Sequence, residues 1–180
     1  MARESITKKA YRNLFVREKP QESTKPCGFF VGAEQVTFRP MTAADLEDVM
    51  AIEKTAFAYP WSGRFFQQEL QVECARSIVA EFDGRIVGYV LFWLLPDEID
   101  IHNIAVHSEF RRKGVGRALL GQVIARAQRR LSLRVTLEVR LSNTAARQLY
   151  DSIGFVAVGV RKGYYSDNGE DAIAMHLNLK

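Results

Sequence analysis

Asn103-Ile-Ala-Val-His-Ser-Glu-Phe-Arg-Arg-Lys-Gly-Val-Gly-Arg-Ala-Leu-Leu120 is the stretch on which the reading of this chain turns. An apolar strand runs into a short loop with two glycines, and the loop runs into the start of a helix. Free backbone N–H groups and the positive end of the helix dipole meet at such a turn, which makes it an anion site. Gly114 and Gly116 allow the backbone to approach a phosphate closely. Arg111, Arg112, Lys113 and Arg117 supply cationic donors around it. The turn is not a P-loop, because G-x-x-x-x-G-K-[ST] is absent. It is not the dinucleotide fingerprint either, because Leu119 stands where G-x-G-x-x-G needs its third glycine.

Reading outward, Leu119, Val123 and Ala127, with Leu120 and Ile124 beside them, give the helix after the turn one apolar face. Arg134 to Arg140 alternates as a strand does. Asn143 can cap a helix whose stripe is Ala146, Leu149, Tyr150 and Ile153, closed by Gly154. Strands at Phe155 to Val160 and Asp171 to Leu177 flank a loop from Tyr164 to Gly169. Upstream, Val36-Thr-Phe38 opens the domain as a strand. Thr42 and Asp45 form a capping box before a helix striped by Leu46, Val49, Met50 and Phe57. Pro60-Trp61-Ser62 interrupts that helix, and Ser62 caps a second one carrying Phe65, Phe66 and Leu70. Strands at Ser77 to Phe82 and Arg85 to Leu95 are joined by Asp83-Gly84, the strongest short hairpin signal. A further strand covers Ile99 to Val106. The order β-α-α-β-β-β-α-β-α-β-β predicts an α/β domain: a mixed sheet with helices on both faces.

Residues 1–34 differ from the rest. They mix charges, Pro20, Pro26 and small polar residues without a period, which reads as a flexible basic extension with a short helix around Lys8 to Phe15. Residues 35–180 form the domain. At 180 residues, 47% hydrophobic and 26% charged, the chain suits one soluble globular domain. No apolar run approaches the ~18 residues of a membrane span. The N-terminus lacks an apolar segment of the secretory kind, so a cytoplasmic location is expected.

Cys27 and Cys74 lie far apart, with no C-x-x-C pairing and no neighbouring His to activate them. His102, His107 and His176 do not match metal-ligand spacings, so no metal is expected. Net charge is +4. The basic residues Arg111, Arg112, Lys113, Arg117, Arg126, Arg129, Arg130 and Arg134 form a run without an acid. A solvated helix face and nucleic-acid binding both explain such a run, and its glycines favour phosphate binding.

Two residues stand out by position. On the strand Arg134 to Arg140, Val135, Leu137 and Val139 face one way, and Thr136, Glu138 and Arg140 the other. Glu138 is then a candidate base, or simply a partner for Arg140 or another Arg. Tyr150 lies on an apolar stripe, where a core aromatic is the plain reading.

The motif Arg111-Arg-Lys-Gly-Val-Gly-Arg117 after a strand resembles the pyrophosphate turn of the GCN5-related N-acetyltransferases. Downstream, Leu137-Glu-Val-Arg-Leu-Ser-Asn143, Leu149-Tyr150, Gly154-Phe155, Lys162-Gly-Tyr-Tyr165 and Glu170-Asp-Ala-Ile173 follow in order. With Tyr59-Pro-Trp-Ser62 they resemble the RimI-type ribosomal-protein-alanine N-acetyltransferases. The similarity covers about Val36 to Leu179. Ser108-Glu109 replaces the usual Asp-Pro, and His102 sits where an apolar residue is common. Neither change removes a donor.

The resemblance implies acetyl-CoA as co-substrate and a direct transfer within a ternary complex. Backbone groups of Ile104, Ala105 and Val106 would hold the pantetheine arm, and Arg112, Lys113, Gly114, Val115, Gly116 and Arg117 the pyrophosphate. Asn143 would contact acetyl-CoA as well as cap its helix. Glu138, directly or through water, would be the base and Tyr150 the acid. An amine of pKa about 7.7–8.0 needs such a base near neutral pH. The implied acceptor is a protein N-terminus, an alanine of a small-subunit ribosomal protein, with no membrane partner and no required nucleic-acid contact. Tyr164 and Tyr165 line the peptide groove or pack their loop, Trp61 is structural or touches substrate, and Glu98 and Asp100 are reserve bases. A broader N-terminal or lysine acetyltransferase is the rival enzyme. A ribosome- or RNA-binding module that keeps the fold is the rival outside catalysis.

Overall fold

Asp83 and Gly84 both take positive φ, 49° and 71°, the pair of left-handed residues a tight two-residue hairpin requires. They join β3 (Ala75–Phe82) to β4 (Arg85–Leu94) at the middle of the sheet. The computed structural model describes residues 29–31 and 34–179. The helix expected near Lys8, and Cys27, lie outside the described residues. The remaining elements are β1 (Phe29–Val31), β2 (Glu34–Pro40), α1 (Leu46–Ala56), α2 (Gly63–Glu69), β5 (Glu98–Val106) and α3 (Val115–Arg129). After them come β6 (Arg134–Arg140), α4 (Thr144–Asp151), β7 (Val156–Tyr165) and β8 (Glu170–Asn178).

The strands form one sheet in the order β1-β2-β3-β4-β5-β6-β8-β7. Every pairing is antiparallel except β5 with β6. The mixed sheet follows the expected element order, with two differences. A short strand, Phe29–Val31, pairs with Glu34–Val36, so the sheet reaches into the segment read as an extension. The last hairpin also runs further than expected. Tyr165 pairs with Glu170, although residues 162–164 bulge out of the ladder before it. Arg140 draws in the turn between Tyr165 and Glu170: its guanidinium reaches Asp167 and Glu170 and lies 3.8 Å from the Tyr165 ring centre.

Two cores form, one on each face. Leu119, Leu120, Val123 and Ala127 of α3, with Tyr150 of α4, pack on Val90, Phe92, Ile99, Ile101, Val135 and Leu137. Val49 and Ile52 of α1 and Phe66 of α2 pack on Val79, Tyr89 and Leu91. Each buried Val, Leu, Ile or Phe among these contributes roughly 1.5–3 kcal/mol by leaving water. β4 serves both cores, which explains its unbroken apolar run. Its alternation is reset at Val87, the extra residue where Ala80 faces Gly88 and Glu81 faces Ile86.

The entry to α1 is pinned electrostatically. The Asp45 carboxylate accepts from Arg39 Nη1 and Nη2 at 2.8 and 2.7 Å, and from the Thr42 N–H at 2.7 Å. The Arg39 hydrogen bonds hold the Asp45 carboxyl down at about 2. A carboxylate with a lowered folded value stabilises the fold above its unfolded pKa, and that stability is lost as pH falls toward the folded value. Asp45→Asn should therefore cost about 1–2 kcal/mol at pH 7, a figure reduced for the half-exposed guanidinium. The gap to the parent should close as pH falls from 5 toward 2. Urea unfolding across that range checks it, and a gap independent of pH would assign the loss to packing.

Candidate active site

The parallel pair β5/β6 is short. Glu98 to Ile101 match Arg134 to Leu137, and the register ends there. Beyond it β5 continues to Val106 paired only with β4, while Glu138 to Arg140 pair only with β8. The cause is a bulge in β5: Leu91 faces Asn103 and Phe92 faces Ile101, so His102 is the extra residue. A bulge bends its strand. Residues 102–106 thus turn an edge without a strand partner toward a V-shaped gap between the two strands.

The glycine turn closes one end of this gap. Arg112 and Gly114 both sit in left-handed conformations, φ 64° and 90°, and Gly114 caps α3. The first intrahelical bond runs from the Ala118 N–H to the Gly114 carbonyl. The N–H groups of Val115, Gly116 and Arg117 therefore have no acceptor within the helix. Val115 buries its side chain in the core, so only its backbone is available at the turn. Arg112 and Lys113 are exposed. Arg111 donates Nε to the Val106 carbonyl at 3.1 Å, bracing the loop against β5. Arg117, expected among the cationic donors of the turn, is exposed on the first turn of α3. Its Nη2 donates to Ser152 Oγ at 2.6 Å and holds the end of α4.

The family model for "Acetyltransferase (GNAT) family" matches residues 46–155, the stretch that holds the bulge, the gap and the glycine turn. The chain belongs to the GNAT acetyltransferase family. The Bacillus subtilis putative [ribosomal protein bS18]-alanine N-acetyltransferase is 36% identical over 142 residues, 78% of this chain and 94% of that protein. The [ribosomal protein bS18]-alanine N-acetyltransferase of Escherichia coli K12 is 36% identical over 145 residues, 79% and 97% of the two chains. The crystal structure of the Escherichia coli ribosomal-protein-S18-alanine N-acetyltransferase superposes with a TM-score of 0.74 at 35% identity. It covers 81% of this chain and 94% of that one.

The candidate base and acid of this GNAT domain occupy opposite faces of the sheet. Glu138 lies on the α1/α2 face, its side chain 14% exposed, with Oε1 3.0 Å from Arg161 Nη2 on β7. Arg140, the partner named from the sequence, is instead engaged by Asp167 and Glu170, and another Arg, Arg161, meets Glu138. Tyr150 lies on the α3/α4 face, buried, with its ring centre 5.7 Å from that of Phe155. Burial, with the Tyr165 phenol nearby, pushes the Tyr150 hydroxyl above the ordinary phenol value. It stays protonated, which is the form a proton donor needs. Asn143 caps α4, its Oδ1 accepting from the Ala146 N–H at 3.1 Å.

The reserve candidates are engaged elsewhere. Glu98 binds Arg134 Nε at 2.6 Å. Asp100 accepts from the Thr136 hydroxyl at 3.0 Å and lies 3.2 Å from His102 Nε2. Trp61 packs its ring 4.3 Å from Phe65, and the Tyr164 and Tyr165 ring centres are 5.2 Å apart. No group of His, Cys, Asp and Glu with metal-site geometry occurs among the described residues. No described helix is long and apolar enough to cross a membrane.

Sequence reasoning missed Glu53. It is buried on α1 and accepts hydrogen bonds from Tyr89, Asn103 and the Trp61 backbone. The signal was in the stripe Leu46, Val49, Met50, Phe57, where Glu53 fills the i+7 position that should be apolar.

Proposed function

We propose that this domain moves the acetyl group of acetyl-CoA to the α-amine of a protein N-terminus. The acceptor is an N-terminal alanine, and the substrate class is a small-subunit ribosomal protein. The observation that carries the reading is the gap between β5 and β6 ending at the Gly114–Gly116 turn. The edge at Ile104, Ala105 and Val106 has no second strand beside it, with only Arg111 on the Val106 carbonyl, and it suits the amide groups of a pantetheine arm, which can pair with it as a strand would. The N–H groups at the start of α3, with Arg112 and Lys113, suit the pyrophosphate. Asn143 follows three residues after the end of β6, the strand that borders the gap, and would contact acetyl-CoA there. The relatives' specificity for a ribosomal-protein alanine supports the acceptor assignment.

The chemistry then runs as follows. The amine nitrogen attacks the thioester carbonyl carbon, forming the C–N bond. Glu138, directly or through water, takes the proton that the amine loses. The C–S bond breaks, and Tyr150 gives its proton to the departing thiolate. A ligand threaded through the gap is reachable from both faces of the sheet, which is why a base and an acid on opposite faces can serve one reaction. The matched relatives leave about a fifth of the chain uncovered.

The test is a set of peptides that share one sequence and differ only in the first residue, or carry a blocked α-amine and an internal Lys. Initial rates and mass spectrometry with acetyl-CoA should favour the alanine-first peptide by at least about tenfold, the discrimination that a small-residue pocket supplies. Equal rates across first residues would replace the reading with a broad N-terminal acetyltransferase. Acetylation confined to Lys would replace it with a lysine acetyltransferase.

A further inference from the structure

Glu53 is a carboxylate that acetyl transfer itself does not use. It is 1% exposed, beneath α1 and against the centre of the sheet. Donors reach it from three other segments. The Tyr89 hydroxyl comes from β4. Asn103 Nδ2 comes from β5, 3.3 Å from both oxygens. The backbone N–H of Trp61 comes from the loop between α1 and α2, 2.8 Å from Oε1. A carboxylate without such partners could not be kept in this place, since burial costs an ion several kcal/mol. Burial indeed pushes its carboxyl above the usual range, against the pull of all three donors. A Leu or Met would fill the space without that cost, so packing alone does not account for a Glu here.

The donors matter for where they sit. Trp61 belongs to the loop over the α1/α2 face, the face on which Glu138 lies. Asn103 directly follows the bulge residue His102 and directly precedes Ile104, Ala105 and Val106, the open edge along the gap. One side chain therefore spans the acceptor-side loop and the thioester-side strand, and no backbone pairing joins these two segments.

We propose that Glu53 is a positioning residue whose carboxylate ties the α1–α2 loop, through the Trp61 N–H, to the bulged segment of β5, through Asn103. It sets the distance between the acceptor's place and the thioester's place. What those two places bind rests on the acetyl-transfer reading above. Their coupling rests on the hydrogen bonds alone.

Glu53→Gln keeps the size of the side chain but replaces one acceptor oxygen with an NH2 donor. The NH2 can sit only against the Tyr89 hydroxyl oxygen, which leaves the Tyr89 proton without an acceptor, and the Trp61 and Asn103 donors keep a neutral acceptor in place of a charged one, a bond about half as strong. Hydrogen exchange of the peptide covering Trp61 should speed up by at least about tenfold. KM for the alanine-first peptide should rise about tenfold, while coenzyme A affinity stays within about twofold because the α3 turn is untouched. Asn103→Ala separates a strut from a loop latch. It leaves the Glu53–Trp61 bond in place, so exchange at Trp61 should stay near the parent rate while peptide KM still rises. A purely structural role predicts lower thermal stability, with peptide KM unchanged well below the melting point. That result in Glu53→Gln, or an unchanged peptide KM in Asn103→Ala, overturns the proposal. If Glu53→Gln does not fold, the Asn103→Ala result decides alone. Failure of the parent enzyme to acetylate any peptide would overturn the acceptor assignment instead, and the exchange at Trp61 in Glu53→Gln would still decide the coupling.

Discussion

Glu138→Gln is expected to lower kcat/KM for an α-amine acceptor by about 10²-fold or more near neutral pH. The carboxamide has the same size but cannot accept the amine proton. Coenzyme A affinity should barely change, because Glu138 lies on β6, away from the glycine turn at the start of α3. The ion pair with Arg161 offers a second explanation for any loss, and a second variant separates the two. The Arg161 side chain is 58% exposed. An exposed pair of this kind contributes about 0–1 kcal/mol, so Arg161→Gln should leave most of the activity in place. Steady-state rates on one alanine-first peptide, with calorimetric coenzyme A affinity for each variant, check both outcomes. Near-normal turnover in Glu138→Gln would remove this carboxylate from the mechanism. Equal losses in the two variants would assign it a structural part shared with Arg161.

Gly116→Val should weaken coenzyme A binding by at least about 10²-fold, since a β-branched side chain now stands where a phosphate meets the helix start. A surface turn would be expected to leave the fold indifferent to this change. The structure alters that expectation. A Cβ at Gly116 would lie 3.3 Å from Leu149 Cδ2 and 3.7 Å from Val106 Cγ2. The added methyls would therefore press on α4, next to Tyr150, as well as on the cradle. Gly116→Ala adds only the first carbon and meets the movable end of a Leu side chain, so its binding loss should be smaller than that of Val. Calorimetry on both variants, beside their melting temperatures, orders the effects. Unchanged coenzyme A affinity in folded Gly116→Val would exclude this turn as the phosphate site.

Sequence by itself determined the elements whose geometry is local. Asp83-Gly84 makes its hairpin because both residues tolerate positive φ, and Ser62 and Asn143 cap their helices because the accepting oxygen lies three residues from the donor. The strand–glycine–helix turn belongs to the same class, so its backbone geometry could be read before any coordinates. Alternation also placed Glu138 on the face away from Val135, Leu137 and Val139, although it did not identify the Arg it meets. Tertiary structure decided the pairings between distant segments. The gap between β5 and β6 exists because a bulge at His102 ends a parallel register, and register is a property of two strands, not of one. Arg117 joins Ser152, Glu138 joins Arg161, and Glu53 joins Asn103, each across more than twenty residues of chain. A charged side chain takes whichever partner the packing brings within about 3 Å, and spacing along the chain carries no record of that choice.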